Sequence, residues 1–104
     1  MISSPRFQEF DGNGSPEAIT VYGLLQCVPC KEAKEFLQST GLAFRYVVLE
    51  QQKPEIRQEL KRTFQERLGK RPIYPVLEID GELTFGFHLP TWRTVLAQVE
   101  GAEQ

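Results

Sequence analysis

Cys27-Val28-Pro29-Cys30 holds both cysteines of the sequence, and two thiols at this spacing can close to a disulfide and reopen. Ile19 to Leu24 is a β-branched, apolar run, and Lys31 to Leu37 continues as a helical pattern, so the pair falls where a strand hands over to a helix. On a first helical turn positions i and i+3 share a face. That brings the two residues near the Cα separation of roughly 5.5 to 6 Å that a disulfide needs. At the helix start, unpaired N–H groups and the positive end of the dipole favour a thiolate, which marks Cys27 as the nucleophile. Pro29 suits the first helical position, where its missing N–H costs nothing. Cys30, one turn in and more buried, is the resolving thiol. No histidine or charge stands between the cysteines, so a reducing potential of about −200 to −270 mV is expected.

The elements that must position this pair follow from pattern and punctuation. The first strand is expected over Ile19 to Leu24 and the first helix from Pro29 to Gln38, with Cys30, Ala33, Phe36 and Leu37 on one face and Gly41 closing it. Ala43 to Glu50 reads as a second strand. A strand-helix-strand unit of this length implies a parallel pair with a right-handed crossover, and a dithiol at the carboxyl end of such a strand is where these folds put their sites. Pro54 opens a second helix, to Leu68, with Ile56, Leu60, Phe64 and Leu68 recurring every four residues, and Gly69 stops it. Val76 to Ile79 and Leu83 to Phe85 read as strands joined by a hairpin at Asp80-Gly81. A closing helix from Pro90 to Val99 buries Trp92, Val95, Leu96 and Val99. Residues 1–18, rich in Gly, Ser, Pro and acids, read as a mobile N-terminal tail, and residues 19–104 as the folded domain.

Composition narrows the function classes. The 104 residues suit a single domain with one core. Two cysteines three apart cannot cross-brace a fold, so they read as active thiols in a reducing compartment. No stretch approaches the roughly 18 apolar residues of a membrane span, and the polar start lacks the pattern of a secretory signal. A cytoplasmic, monomeric protein without a membrane or nucleic-acid partner is expected, the formal net charge being −2. Against that balance, residues 53–71 carry seven basic side chains (Lys53, Arg57, Lys61, Arg62, Arg67, Lys70, Arg71) and three acids. They read as a solvated helix face or as a docking site for an acidic partner.

The order strand, dithiol, helix, strand, helix, proline, hairpin, helix resembles the glutaredoxins, from Ile19 to about Gln98. ITVYGLLQCVPC resembles that family's first strand and active-site turn, Ile73-Tyr74-Pro75 its Thr-Val-Pro segment, and Gly86-Phe87 its glycine turn after the last strand. The resemblance implies an α/β thioredoxin fold: a mixed four-stranded sheet, made of a parallel β-α-β unit plus an antiparallel hairpin, flanked by three helices. It implies thiol-disulfide exchange and a cis Pro75 facing the sulfurs, with the Tyr74 backbone presented strand-fashion to a bound substrate. Tyr74, Pro75, Gly86, Phe87 and Arg71 are then the expected substrate-binding residues, and no resident cofactor or metal is expected. The chain departs from glutathione-using members in two places. Leu24 or a neighbour stands where they carry a lysine, and Gly86-Phe87-His88-Leu89-Pro90 stands where they carry two glycines and a Ser/Thr-Asp pair. That pattern resembles the redoxins that donate electrons to ribonucleotide reductase. Glutathione or a thioredoxin-reductase-type flavoprotein is the implied electron source, with Arg71 or Lys70 available to grip a carboxylate, and disulfide-bearing proteins are the implied partners.

Other residues are weighed on the same terms. His88, the sole histidine, reads as a turn residue, because a helix dipole activates Cys27 without a base. Tyr22 reads as strand and core, and Trp92 as the anchor of the last helix. The competing readings are a thioredoxin-fold adaptor with a regulatory dithiol and a dimer bridging an iron-sulfur cluster; a closed zinc site wants four ligands, which one Cys-x-x-Cys does not supply.

Overall fold

The structure, a computed structural model, describes residues 5–102. In chain order the regular elements are β1 (Gln8–Phe10), β2 (Ile19–Gly23), α1 (Val28–Thr40), β3 (Phe44–Val48), α2 (Pro54–Leu68), β4 (Val76–Ile79), β5 (Glu82–Phe85) and α3 (Leu89–Ala102), with 3-10 turns at Pro16–Ala18 and Leu49–Gln51. Proline near the start and glycine past the end bound the first two helices. Pro29 and Pro54 open α1 and α2, and the Gly41 and Gly69 amides close them by donating to Gln38 O and Gln65 O at 3.3 and 2.8 Å. α1 outruns its expected end at Gln38 because the Ser39 and Thr40 hydroxyls donate to the carbonyls of Phe36 and Leu37, both at 2.6 Å. β3 stops short of its expected end because Leu49–Gln51 coils into a 3-10 turn, closed by Gln52 N–H on Leu49 O at 3.1 Å. That turn takes Glu50 off the strand.

The sheet order is β1-β3-β2-β4-β5. β2 and β3 run parallel, Tyr22 opposite Val47, as a right-handed crossover through α1 requires. β4 pairs antiparallel with β2 and with β5, and Asp80 and Gly81 turn the hairpin with positive φ at both positions, 51° and 81°. Alternation along the strands gives the sheet two apolar faces. Ile19, Val21, Phe44 and Leu77 pack with Ala33 and Leu37 of α1 and Trp92 and Leu96 of α3. Tyr22, Val47 and Val76 pack on Phe64 and Leu60 of α2. Burying one such large side chain contributes roughly 1.5 to 3 kcal/mol, so both helix layers are held by their apolar stripes. Among the described residues, no helix is long and apolar enough to cross a membrane.

The sheet carries one strand more than the four expected, and it comes from the stretch expected to be a mobile tail. β1 pairs antiparallel with β3, Gln8 opposite Tyr46 and Phe10 opposite Phe44. Three contacts hold it. The Phe10 ring stacks on Phe44 at 4.6 Å between centroids. The buried Gln52 side chain accepts from Arg6 N–H at 2.7 Å and donates to Arg6 O and Val48 O at 2.9 Å each. Downstream, Asn13 N–H donates to Gly41 O at 2.7 Å, and Asn13 O accepts from Ala43 N–H at 2.8 Å. Strand and polar clamp are both non-local, so low hydrophobicity along the segment was a poor guide. Met1 to Ser4 of the expected tail lie outside the described residues.

Candidate active site

Cys27 is the N-cap of α1. Its backbone is extended (φ −149°, ψ 105°), its carbonyl accepts the first helical bond from Lys31 N–H at 3.1 Å, and its Sγ accepts from Cys30 N–H at 3.2 Å. A thiolate there would meet one of the orphan amides that every helix start leaves open. Cys27 is half-buried, Val28 and Pro29 are exposed, and Cys30 is 1% exposed. The two sulfurs form a disulfide, with Cα atoms 5.2 Å apart. One thiol is thus within reach of solvent and its partner is sealed behind it.

The floor beneath the pair is built by Gly23. A Cβ there would lie on the Tyr46 hydroxyl, 2.9 Å from its ring carbon Cζ and 3.3 Å from Cys30 Cβ. Only glycine lets the end of β2 approach the first turn of α1 so closely. On the other side of β2 the Tyr74-Pro75 segment leads into β4. Because Tyr22 faces Val76 across the sheet, Pro75 comes opposite Gly23, and the Tyr74–Pro75 peptide is cis. Gly86 N–H lies 2.8 Å from both Ile73 O and Pro75 O, which ties the strand after the hairpin to the proline loop. Gly86 takes φ +78°, which glycine adopts without strain. Its carbonyl accepts the Trp92 indole N–H at 3.0 Å, so a fully buried side chain of α3 braces the same loop.

The remaining expected site residues are placed unevenly. Phe87 is wedged between Phe36 (5.9 Å) and, edge-on, Trp92 (4.9 Å), where it packs α1 against α3. Arg71 is exposed on the segment leading to Pro75. His88 is exposed, with Nδ1 2.8 Å from Thr91 Oγ1 in the first turn of α3. Tyr22 is buried, donates to Glu78 at 2.7 Å and meets Phe64 edge-on, in keeping with strand and core. Two basic residues of the 53–71 stretch brace the hairpin: Arg67 donates to Gly81 O, and the Lys70 ammonium lies 5.9 Å from the Phe85 ring centre. Among the described residues, no three His, Cys, Asp or Glu side chains gather as a metal ion would need.

One residue of the site was not anticipated. The Glu50 carboxylate, carried off β3 by the 3-10 turn, accepts Leu25 N–H at 3.1 and 3.2 Å and so buckles the loop that leads into Cys27. Its charge also reaches two tyrosines. Burial, and after it Glu50, pushes the Tyr74 hydroxyl up to about 12 and the Tyr46 hydroxyl upward as well. The Tyr74 hydroxyl oxygen is buried without a hydrogen-bond partner. The only signal in the chain was an acid at the carboxyl end of a strand parallel to the one that carries the dithiol.

A Cys-x-x-Cys pair at the start of the helix that joins two parallel strands, with a cis proline just before the strand antiparallel to the first of them, makes a thioredoxin-like fold whose paired cysteines are consistent with a redox-active dithiol. The chain belongs to the glutaredoxin family, whose model matches residues 19–84, well over half its length. Among solved structures it is similar to a glutaredoxin from Methanosarcina mazei Go1, with 25% identity, a TM-score of 0.71, and 88% of this chain and 87% of that one covered. It is similar in fold to glutaredoxin-1 from Archaeoglobus fulgidus (22% identity, TM-score 0.68, coverage 76% and 85%). Methanoredoxin from Methanosarcina acetivorans also matches (26% identity, TM-score 0.63, coverage 73% and 80%). No curated protein matches the chain at a significant level.

Proposed function

We propose that the protein is a dithiol-disulfide oxidoreductase that reduces protein or small-molecule disulfides through Cys27 and Cys30. The observation that carries this reading is the asymmetry of the pair: a half-buried Cys27 sulfur at a helix N-terminus accepting the Cys30 amide, and a Cys30 side chain 1% exposed. Cys27 thiolate attacks one sulfur of a substrate disulfide, forming a mixed disulfide and releasing a thiolate. Cys30, giving its proton to the substrate thiolate released in the first step, then attacks Cys27 Sγ, releases the second substrate sulfur as a thiolate and leaves the internal disulfide. Two electrons pass from protein to substrate, and an external reductant returns them. Tyr74-Pro75 and the Gly86 turn form the wall against which the substrate chain lies, its backbone bonding to that of Tyr74. In this reading the chain works as a monomer in a reducing compartment such as the cytoplasm.

The electron source we propose is a thioredoxin-reductase-type flavoprotein rather than glutathione, and ribonucleotide reductase is one substrate of the class this would serve. Leu24-Leu25-Gln26 puts no cation before Cys27, and the side chain anchored there is the Glu50 carboxylate, a poor fit for the carboxylates of glutathione. Two experiments test the proposal. With a disulfide substrate, Cys30→Ser is expected to accumulate a mixed disulfide on Cys27, while Cys27→Ser loses turnover by at least two orders of magnitude. Turnover surviving in Cys27→Ser would overturn the nucleophile assignment. NADPH consumption is then followed with thioredoxin reductase alone and, in parallel, with glutathione and its reductase. Turnover confined to the glutathione arm would refute the choice of reductant.

A further inference from the structure

Around Cys27 exposed apolar side chains are unusually frequent. Of the five large hydrophobic side chains standing in solvent among the described residues, two flank Cys27 in the chain, Leu25 at 61% exposed and Val28 at 72%, and a third, Ile73 at 56%, stands by Gly86 two residues before the cis proline. Set into that rim is one carboxylate. A surface glutamate usually samples many rotamers, but the Glu50 side chain is held by Leu25 N–H at both oxygens, 25 residues away in sequence. That bond sets the carboxylate beside the loop two residues before Cys27, and its charge reaches two tyrosines. Tyr46 lies under Gly23 and Cys30, and Tyr74 precedes the cis Pro75. The cations nearest Cys27 and Glu50 in the chain, Lys31 and Lys53, are exposed, with side chains long enough for water to screen them.

We propose that Glu50 is the specificity-determining charge of the dithiol site, selecting disulfides flanked by apolar or cationic groups and disfavouring those flanked by carboxylates. This rests on the oxidoreductase reading and narrows its substrate class to protein segments whose cysteine is bordered by apolar or basic side chains. The charge acts on the first exchange step, while the Cys27 thiolate displaces one thiolate of the substrate, because that is when the substrate's neighbouring groups lie on the rim. An anionic neighbour then meets both a thiolate and a fixed carboxylate. A cationic one is drawn to both.

The test is a charge ladder of small disulfides with similar sulfur chemistry: cystamine (cationic), bis(2-hydroxyethyl) disulfide (neutral) and 3,3′-dithiodipropionate (anionic), with oxidised glutathione as a fourth probe. Pre-reduced full-length protein, freed of reductant, is mixed with each, quenched by alkylation, and scored for formation of the Cys27–Cys30 disulfide. Wild type is expected to rank them cationic, neutral, anionic, with oxidised glutathione among the slow probes. Glu50→Gln keeps an oxygen for Leu25 N–H and removes the charge. It is expected to narrow the cationic-to-anionic rate ratio by about two- to fivefold, the range of an exposed charge pair. Glu66→Gln, exposed on α2, is expected to leave that ratio at the wild-type value. Raising the salt is expected to narrow the wild-type ratio in the same way and that of Glu50→Gln much less, the difference reading the carboxylate apart from the thiolate. A ratio unchanged in Glu50→Gln, or a wild-type ladder that is flat or insensitive to salt, overturns the inference while leaving the oxidoreductase reading intact. Failure of wild type to reduce even the neutral probe sinks both.

Discussion

Gly23 is the residue on which the geometry of the dithiol turns. Its missing side chain is filled by the Tyr46 hydroxyl from one strand and Cys30 from the following helix, so β2, β3 and α1 converge at a point with no slack. Gly23→Ala is expected to destabilise the fold by about 1 to 3 kcal/mol, the usual cost of forcing extra volume into a packed site. Urea denaturation of the oxidised protein measures it, and a midpoint unchanged from wild type would show that Tyr46 can swing aside freely. The place of the cysteine pair at a helix start and its burial gradient were readable from Cys27, Pro29 and Cys30, because an N-terminal helical turn is local. Glu50 was not readable as a partner of Leu25, since that contact depends on a 3-10 turn where the pattern indicated more strand. Phe87, expected from its neighbours in sequence to meet substrate, has Phe36 and Trp92 as its neighbours in space.

Among the elements, α2 spans the residues expected of it because Pro54 and Gly69 are local signals that packing does not overrule. β1 is the counter-example. Three residues are too few to show a period, and this strand exists because β3 offers an open edge and Gln52 secures the backbone at Arg6. Gln52→Ala would remove three part-buried hydrogen bonds, from Arg6 N–H and to the Arg6 and Val48 carbonyls, at a cost of about 1 to 3 kcal/mol in all. The loss is expected to be local first: backbone amides of residues 8–10 should exchange with solvent much faster while those of β2 hold. Uniform acceleration across the whole sheet would instead mean that β1 and the rest unfold as one unit. The basic stretch of residues 53–71 also divides on inspection, since Arg67 and Lys70 are engaged by the hairpin and Arg71 stands free in solvent.

For the molecule as a whole, the tyrosines set a limit on alkaline stability. Tyr22 is pushed well up by burial and by its hydrogen bond to Glu78, and Tyr74 is pushed up to about 12 by burial and then by Glu50. Both folded values lie above the ordinary value of about 10, so at high pH the unfolded chain binds fewer protons than the folded one. Their stabilisation is complete below about pH 10 and is lost as pH rises through the folded values. Thermal unfolding is therefore expected to hold steady up to about pH 10 and to fall beyond it, with Tyr22→Phe and Tyr74→Phe each flattening the decline. An unaltered slope in both variants would assign alkaline unfolding to other groups.

The Cys30 amide directed at Cys27 Sγ has one more consequence. In the disulfide it donates to a neutral sulfur; once the bond opens, the same amide is already aligned on the anion. The helix start thus needs no reorganisation to receive the charge, and the activation barrier for exchange is spared the work of reorienting a dipole during the reaction. The two redox states should accordingly share one backbone, with spectral changes on reduction confined to the neighbourhood of residues 25–31. Electrons would enter and leave this protein as they would a rigid terminal, without a mechanical stroke.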